Sequence, residues 1–390
     1  MSVNQLTVNQ AATVFNEIVH QATGQTNLKV TDTSSFVSAA TTVSLAGYDK
    51  LLTAMSQVLA RTIFSVRPYN AKFAGLRASP QRFGNHTRKV NYLDDDFEDS
   101  PAFELQQGQS IDMYTVNKPR VVQTNFYGFN TYAKHKTFYD NQLDMSLRTL
   151  DEWAEFFNGV MVNINSQIEQ VHENVARATV ANFIGGVNVA NPTCVVHLLT
   201  EYNTLTDQTL TVNDIYKSDN FIAFVRWLYA RIEVLSERLT ERTQLWHVNI
   251  KENEVKRHTP KNKQKVYLFN DFMSQARTMV LSDLFQRDSM KMVDYEGVNF
   301  WQSIDSPDRI DVTPVYTNAE DGTLVTGVEQ KINKVLGVIF DEEAIGFMPK
   351  NQAMGATPHN VAGRYTNLWW HWDECYYNDF TENGIVLLLD

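Results

Sequence analysis

Residues 334–348 read KVLGVIFDEEAIGFM, and residues 364–390 read RYTNLWWHWDECYYNDFTENGIVLLLD. The first stretch predicts an apolar strand from Val335 to Phe340, an acidic turn at Asp341, Glu342 and Glu343, and a second strand from Ala344 to Met348. The second stretch predicts an aromatic strand and then an apolar one, Ile385-Val386-Leu387-Leu388-Leu389, that stops at the chain end. Full burial of each such side chain is worth roughly 1.5–3 kcal/mol. Chain ends fray unless they are tied down, so this end is expected as a strand inside the core.

Upstream, Leu143 to Ile184 contains no Pro and a single Gly, Gly159. Leu143, Leu147, Leu150, Trp153, Phe157, Val160, Ile164, Ile168, Val171, Val175 and Ala178 recur at steps of 3 or 4, the spacing of one helical face. Such a helix is about 60 Å long at 1.5 Å per residue. Gly185-Gly186 is expected to stop it as a left-handed cap. A second helix is predicted over Phe221–Glu241, with Phe221, Val225, Leu228, Ile232, Leu235 and Leu239 on one face. A basic loop over Lys251–Lys265 follows, then a strand at Val266–Phe269 and a helix from Asn270 to Phe285. Near the start, Leu52, Met55, Leu59 and Ile63 mark a helix over Asp49–Phe64. Residues 1–45 show one weak helical face at Val14, Phe15 and Ile18, and no periodicity from Gly24 to Ser38. They read as an arm that gains order by lying on something else.

Between these helices the charges separate. Arg61, Arg67, Lys72, Arg77, Arg82, Arg88 and Lys89 occur without an intervening acid. Asp94, Asp95, Asp96, Glu98 and Asp99 then follow within six residues. Strand-like stretches flank the acids, Thr87 to Leu93 and Arg120 to Tyr132. The expectation is an extended hairpin with a basic side and an acidic tip. An isolated two-stranded hairpin is marginal in water, so a neighbouring subunit is expected to cover it. Arg82, Arg88, Lys89, Asp94, Asp95, Asp96, Glu98 and Asp99 are the candidate subunit contacts, since complementary charges steer and register an assembly.

At 390 residues the chain has room for two or three domains, and its 43% apolar content is globular. A net charge of −11 argues against a dedicated DNA reader, which is normally basic. It suits a container that encloses DNA without binding its sequence. Cys194 and Cys375 make no disulfide framework and are expected as buried thiols in a reducing compartment. MSVNQLTVNQ has neither the basic nor the apolar region of a secretion signal. The longest aliphatic run is Ile385–Leu389, far short of the roughly 20 residues that span a bilayer. A soluble protein is expected.

Catalytic patterns are incomplete. There is no G-x-x-x-x-G-K, no G-x-G-x-x-G and no G-x-S-x-G. His172-Glu173 opens a zinc-protease pattern, but Ala176 stands where the second ligand belongs. Both residues are expected on the solvated side of the long helix. In Trp370-His371-Trp372-Asp373 a strand puts His371 and Asp373 on one face and the tryptophans on the other. That reads as a half-buried strand with a polar face. The acids at 94–99 lack the spacing and turn Gly of a calcium loop. No catalytic residue, metal or cofactor is expected.

The strand, the DEEAIGF turn at 341–347 and the TENGIVLLL ending at 381–389 resemble the C-terminal part of tailed-bacteriophage major capsid proteins of the Hong Kong 97 type. The order of parts is similar to theirs as well. The resemblance implies an α+β fold: an N-terminal arm (1–45), a short helix (46–76), an extended hairpin loop (77–133), a peripheral domain with a long spine helix (134–210 and 327–390) and an axial α/β domain (211–326). It implies a shell protein that forms hexamers and pentamers around double-stranded DNA. A scaffolding protein and a portal are the implied partners, with assembly in the host cytoplasm and no membrane. The alternatives are another virion part, such as a tail or baseplate protein, or a metal-dependent hydrolase using the Trp/His/Asp strand.

Overall fold

The computed structural model describes residues 8–23, 30, 33–46, 72–76, 86–93, 103–114, 116, 118, 120–146, 150–251, 253–283 and 294–390. The helix expected over Asp49–Phe64 lies outside them. The chain begins with helices α1 (Val8–Thr23) and α2 (Thr33–Ala46), then strands β1 (His86–Leu93), β2 (Arg120–Tyr127) and β3 (Asn130–Tyr139). Helices α3 (Asp140–Ser146) and α4 (Leu150–Ala190) lead to β4 (Val195–His197) and helices α5 (Leu198–Thr206), α6 (Val212–Ile215) and α7 (Ser218–Thr240). Next come β5 (Gln264–Phe269), α8 (Asn270–Asp283), β6 (Glu296–Val298), β7 (Ile310–Val312), β8 (Val315–Thr317), β9 (Leu324–Thr326) and β10 (Gln330–Ile332). The chain closes with β11 (Val335–Asp341), β12 (Ile345–Ala356), β13 (Tyr365–Asn378) and β14 (Gly384–Leu388). These segments form two compact units.

The first unit draws on Met1–Phe83, Phe129–Ala176 and Phe347–Tyr376. Its sheet runs β12-β13-β3, with β13 antiparallel to β3 in the register Trp372↔Tyr132, Trp369↔His135 and Tyr365↔Tyr139. Along β13 alternate residues are buried, Leu368, Trp370, Trp372 and Glu374 among them, while His371 is exposed. The period-2 expectation therefore holds. The buried face packs on Phe15, Ile18 and Phe36 of α1 and α2 and on Ile164 of α4. Phe15 and Phe36 meet at 4.6 Å between ring centroids. The stretch with no visible periodicity thus contains the start of α2, whose small apolar face (Phe36, Ala39, Ala40) is defined by what it packs against.

His172 and Glu173 are not on a solvated side: both are almost fully buried. His172 pairs with the carboxylate of Glu374, which also accepts the Tyr376 hydroxyl. Glu173 Oε2 accepts the Phe73 N–H at 3.3 Å. At this point α4 is covered on more than one side, so its polar residues must be paired. An unpaired buried charge costs several kcal/mol, by order of magnitude.

The second unit draws on Gly84–Gly128, Arg177–Gly346 and Tyr377–Asp390. Its five-stranded sheet has the order β4-β14-β11-β5-β6. β11 is central and antiparallel to β14 and β5, while β14–β4 and β5–β6 are parallel. Every residue of β11 and β14 is buried. One face of the sheet packs on Phe221, Val225, Leu228, Ile232, Leu235 and Leu239 of α7. On the other, Phe340 meets Phe183 of α4 at 5.9 Å and stacks on Tyr267 at 5.8 Å. Covering both faces explains why these strands read as solid apolar runs and not as alternating ones.

The expected stop of the long helix at Gly185-Gly186 is corrected: α4 runs through both to Ala190, 41 residues in all. The glycines serve close packing. A Cβ on Gly185 would stand 2.5 Å from Val312 Cγ1, and one on Gly186 would stand 2.4 Å from the Phe380 ring. The helix ends instead where Asn191 turns to φ −145°, ψ 80° ahead of Pro192. Gly159, by contrast, has open space around its Cβ position. Gly159→Ala should raise stability by about 0.5–1 kcal/mol through helix propensity. Gly186→Ala should lower it by about 1–3 kcal/mol through overpacking, despite the same propensity gain. Urea unfolding midpoints of the two proteins check the opposite signs.

Candidate functional site

The hairpin is present as a β1–β2 ribbon with the antiparallel register His86↔Tyr127 through Leu93↔Arg120. The second strand, expected to run from Arg120 to Tyr132, is two strands. It breaks at Gly128, whose φ of +87° favours a residue without Cβ, and β3 then pairs in the other sheet. Arg88 is exposed and stands opposite Asn125. Arg82, Asp94, Asp95, Asp96, Glu98 and Asp99 lie outside the described residues.

Between the two strands, every described residue from Phe103 to Lys118 is exposed. Six of them are large and apolar: Phe103, Leu105, Ile111, Met113, Tyr114 and Val116. Phe103 is 101% exposed, and Met113 and Tyr114 are each 82% exposed. Such a cluster, contiguous in sequence, is characteristic of an interaction surface. Sequence reading passed over it because the polar residues 106–110 interrupt any sustained period of 2 or 3.6.

The ribbon's base is built from charge. Lys89 Nζ lies 3.0 Å from Asp379 Oδ2 and 3.2 Å from Glu343 Oε2, and it also bonds Glu382 Oε1. Arg257 donates from one guanidinium nitrogen to Asn91 Oδ1 at 3.0 Å, and the same nitrogen lies 2.8 Å from Glu382 Oε1. Arg257 Nε donates to the Thr381 carbonyl at 3.1 Å. Asp379 and Glu382 sit on a tight turn in which Asp379 Oδ1 accepts from the Thr381 N–H and hydroxyl. Burial by itself lowers the pKa of Lys89, but the charges of Asp379 and Glu382 and the hydrogen bond to Glu382 outweigh it. The net effect lifts Lys89 above the ordinary lysine range. The stabilisation this gives is complete at neutral pH and is lost only as pH rises through the folded-state value. No local motif announces this cluster, because Lys89 and Glu382 are separated by 293 positions.

Other candidates stand apart from the ribbon. In the basic loop, Lys251 pairs with Glu320 at 3.2 Å, Lys261 with Glu233 at 2.7 Å, and Lys263 with Glu342. His371 stacks on Trp369 on the open face of the first unit's sheet, and Asp373 accepts the Thr131 hydroxyl there. Cys194 is buried, and burial pushes its thiol up to about 12. It is therefore an inert, protonated thiol at neutral pH. Cys375 is half-buried. Among the described residues no group of three or more His, Cys, Asp or Glu could hold a metal ion. No helix among them is long and apolar enough to cross a membrane.

Known proteins provide the remaining comparison. No curated protein sequence matches the chain. Two solved structures resemble it at low sequence identity. One is the capsid structure of Staphylococcus phage Andhra, at 12% identity and a TM-score of 0.56, covering 82% of this chain and 84% of that one. The other is a chain from the structure of the head fibre and inner core protein of native bacteriophage P68. It has 13% identity, a TM-score of 0.55 and coverage of 84% and 87%. The mixed helix-and-sheet architecture is thus the Hong Kong 97-like α+β fold of phage major capsid proteins. The model of the Phi29-like phage major capsid protein family matches residues 15–388, nearly the whole length, so the chain belongs to that family and is a structural protein of a bacteriophage capsid.

Proposed function

We propose that copies of this chain assemble as hexamers and pentamers into an icosahedral shell around a double-stranded DNA genome. One observation carries the reading: an open apolar loop at the end of a two-stranded ribbon. A shell of identical copies supplies the missing cover by bringing the same loop onto each neighbour, and closed symmetry repeats that gain around the particle. Obligate interfaces of this kind commonly bury about 2,000 Å² or more. Arg82, Arg88 and the acids at 94–99 supply the charged rim of that contact, which sets register more than strength. The acidic chain encloses DNA without reading its sequence. A scaffolding protein, a portal and assembly in the bacterial cytoplasm complete the proposal. The role is structural and involves no catalysis.

Phe103→Ser, Met113→Ser and Tyr114→Ser combined should abolish shells in negative-stain electron microscopy. Surface changes usually move stability by less than about 0.5 kcal/mol each, so the subunit should stay folded. Normal shells from the triple variant would refute the loop contact. A monodisperse wild-type monomer, with and without a scaffolding protein, would refute the shell itself.

A further inference from the structure

The β1–β2 ribbon has almost no core of its own. Of its described side chains only Leu93 is buried, and Arg88, Val90, Tyr92, Arg120, Val121, Gln123 and Tyr127 are exposed. Two paired strands without an apolar face are marginal in water. Something outside the ribbon must hold it, and the described polar contacts of β1 are charged ones. Lys89 and Asn91 point to the same side of β1, as positions two apart do. Lys89 reaches Asp379 and Glu382 on the turn at 379–382, and Asn91 accepts from Arg257, the partner of Glu382. Apart from these, Phe126 of β2 meets the Tyr377 ring at 4.8 Å.

The turn that receives the ribbon is tied down by several contacts. Asp379 is bonded to Thr381, and the Asp379 N–H donates to the Ala344 carbonyl at 2.7 Å. Phe380, between them, stacks on Phe183 at 5.4 Å. The Asn383 carbonyl accepts from Asp341 N–H at the end of β11. Beside this anchor is an open cleft of about 490 Å³, lined in part by Val90, Tyr92, Arg257, Glu343 and Glu382. The ribbon therefore has a firm seat made of charges and open space next to it.

We propose that Lys89 and Asn91, with Asp379, Glu382 and Arg257, form an ionic latch that sets the angle of the ribbon on its own subunit. The latch can open while the rest of the second unit stays folded. A core contact cannot behave this way, because opening it would expose apolar surface and cost roughly 25 cal/mol per Å². Charged groups leaving this buried seat regain water, so ribbon release is a local event. Lys89 keeps its proton throughout the physiological range, so competing charge can weaken the latch. In the proposed shell this lets one fold present its loop at the different angles that six-fold and five-fold surroundings require. The latch itself stands or falls independently of that assembly.

Hydrogen exchange of the purified full-length chain tests it. In Lys89→Met, ribbon amides at 86–93 and 120–127 should exchange on the order of 100-fold faster, since one partner of a buried ion cluster is lost. Amides of β11 and β14 should be unchanged. In the wild-type chain, raising NaCl from 0.05 to 1 M, which shortens the screening length to about 3 Å, should speed the ribbon amides selectively. Lys89→Arg should remain close to wild type. Unchanged ribbon exchange in Lys89→Met would overturn the proposal. So would equal acceleration of β11 and β14, or a variant that fails to fold, because the cluster would then be an inseparable part of the unit.

Discussion

A chain ending at Asn383 is expected not to fold. The seven residues removed include all of β14, which lies between β4 and β11 in the second unit's sheet. Ile385, Val386, Leu387, Leu388 and Leu389 are each buried. At roughly 1.5–3 kcal/mol apiece their burial is worth on the order of 7–15 kcal/mol. Native proteins have only about 5–15 kcal/mol of net stability. The loss also strips β11 of one of its two partners and leaves β4 unpaired. Far-UV circular dichroism and solubility of the truncated chain measure the outcome. A folded, soluble product with a cooperative melt would show that the sheet closes without its second strand.

Gly337→Ala should be the most damaging single methyl in the second unit's five-stranded sheet. Gly337 sits in β11 at an irregularity in the register with β14. A Cβ there would lie 2.4 Å from Leu268 Cδ2 and 2.7 Å from the Tyr267 carbonyl oxygen. A leucine tip can swing aside, but Tyr267 is hydrogen-bonded into the neighbouring strand, and its backbone oxygen cannot yield without moving β5. The cost should therefore reach the upper end of ordinary overpacking, about 3 kcal/mol. Gly355→Ala in β12 is the matched control, because its Cβ position is open, and it should stay within about 0.5 kcal/mol of wild type. Chemical unfolding of both proteins settles it. Equal stabilities would mean that β5 and β11 are less tightly registered than their pairing indicates.

Sequence legibility followed the range of the signal. β11, β14 and α7 were legible because burial on a sheet's two faces or on one helical face leaves a local pattern of apolar residues. β13 was legible because its tryptophans alternate with polar neighbours. The end of α4 was misread at Gly185-Gly186, since a glycine pair that caps a helix and one that admits Val312 and Phe380 look identical in one dimension. His172 and Glu173 were misread as solvated because their partners, Glu374 and Phe73, are 202 and 100 positions away. Likewise, nothing near Lys89 indicated that its charge is satisfied by a turn close to the C-terminus.

By itself, the sequence determined the apolar strands β11 and β14, the alternating strand β13, the buried face of α7, and that the last apolar run belongs in a core. These follow from local spacing and burial energy, which act within a few turns of chain. Only the tertiary structure decided where the long helix stops, which buried charges are paired, and how the ribbon is held. Those depend on surfaces that distant segments form together, and close packing and charge compensation are properties of such surfaces and not of any one segment.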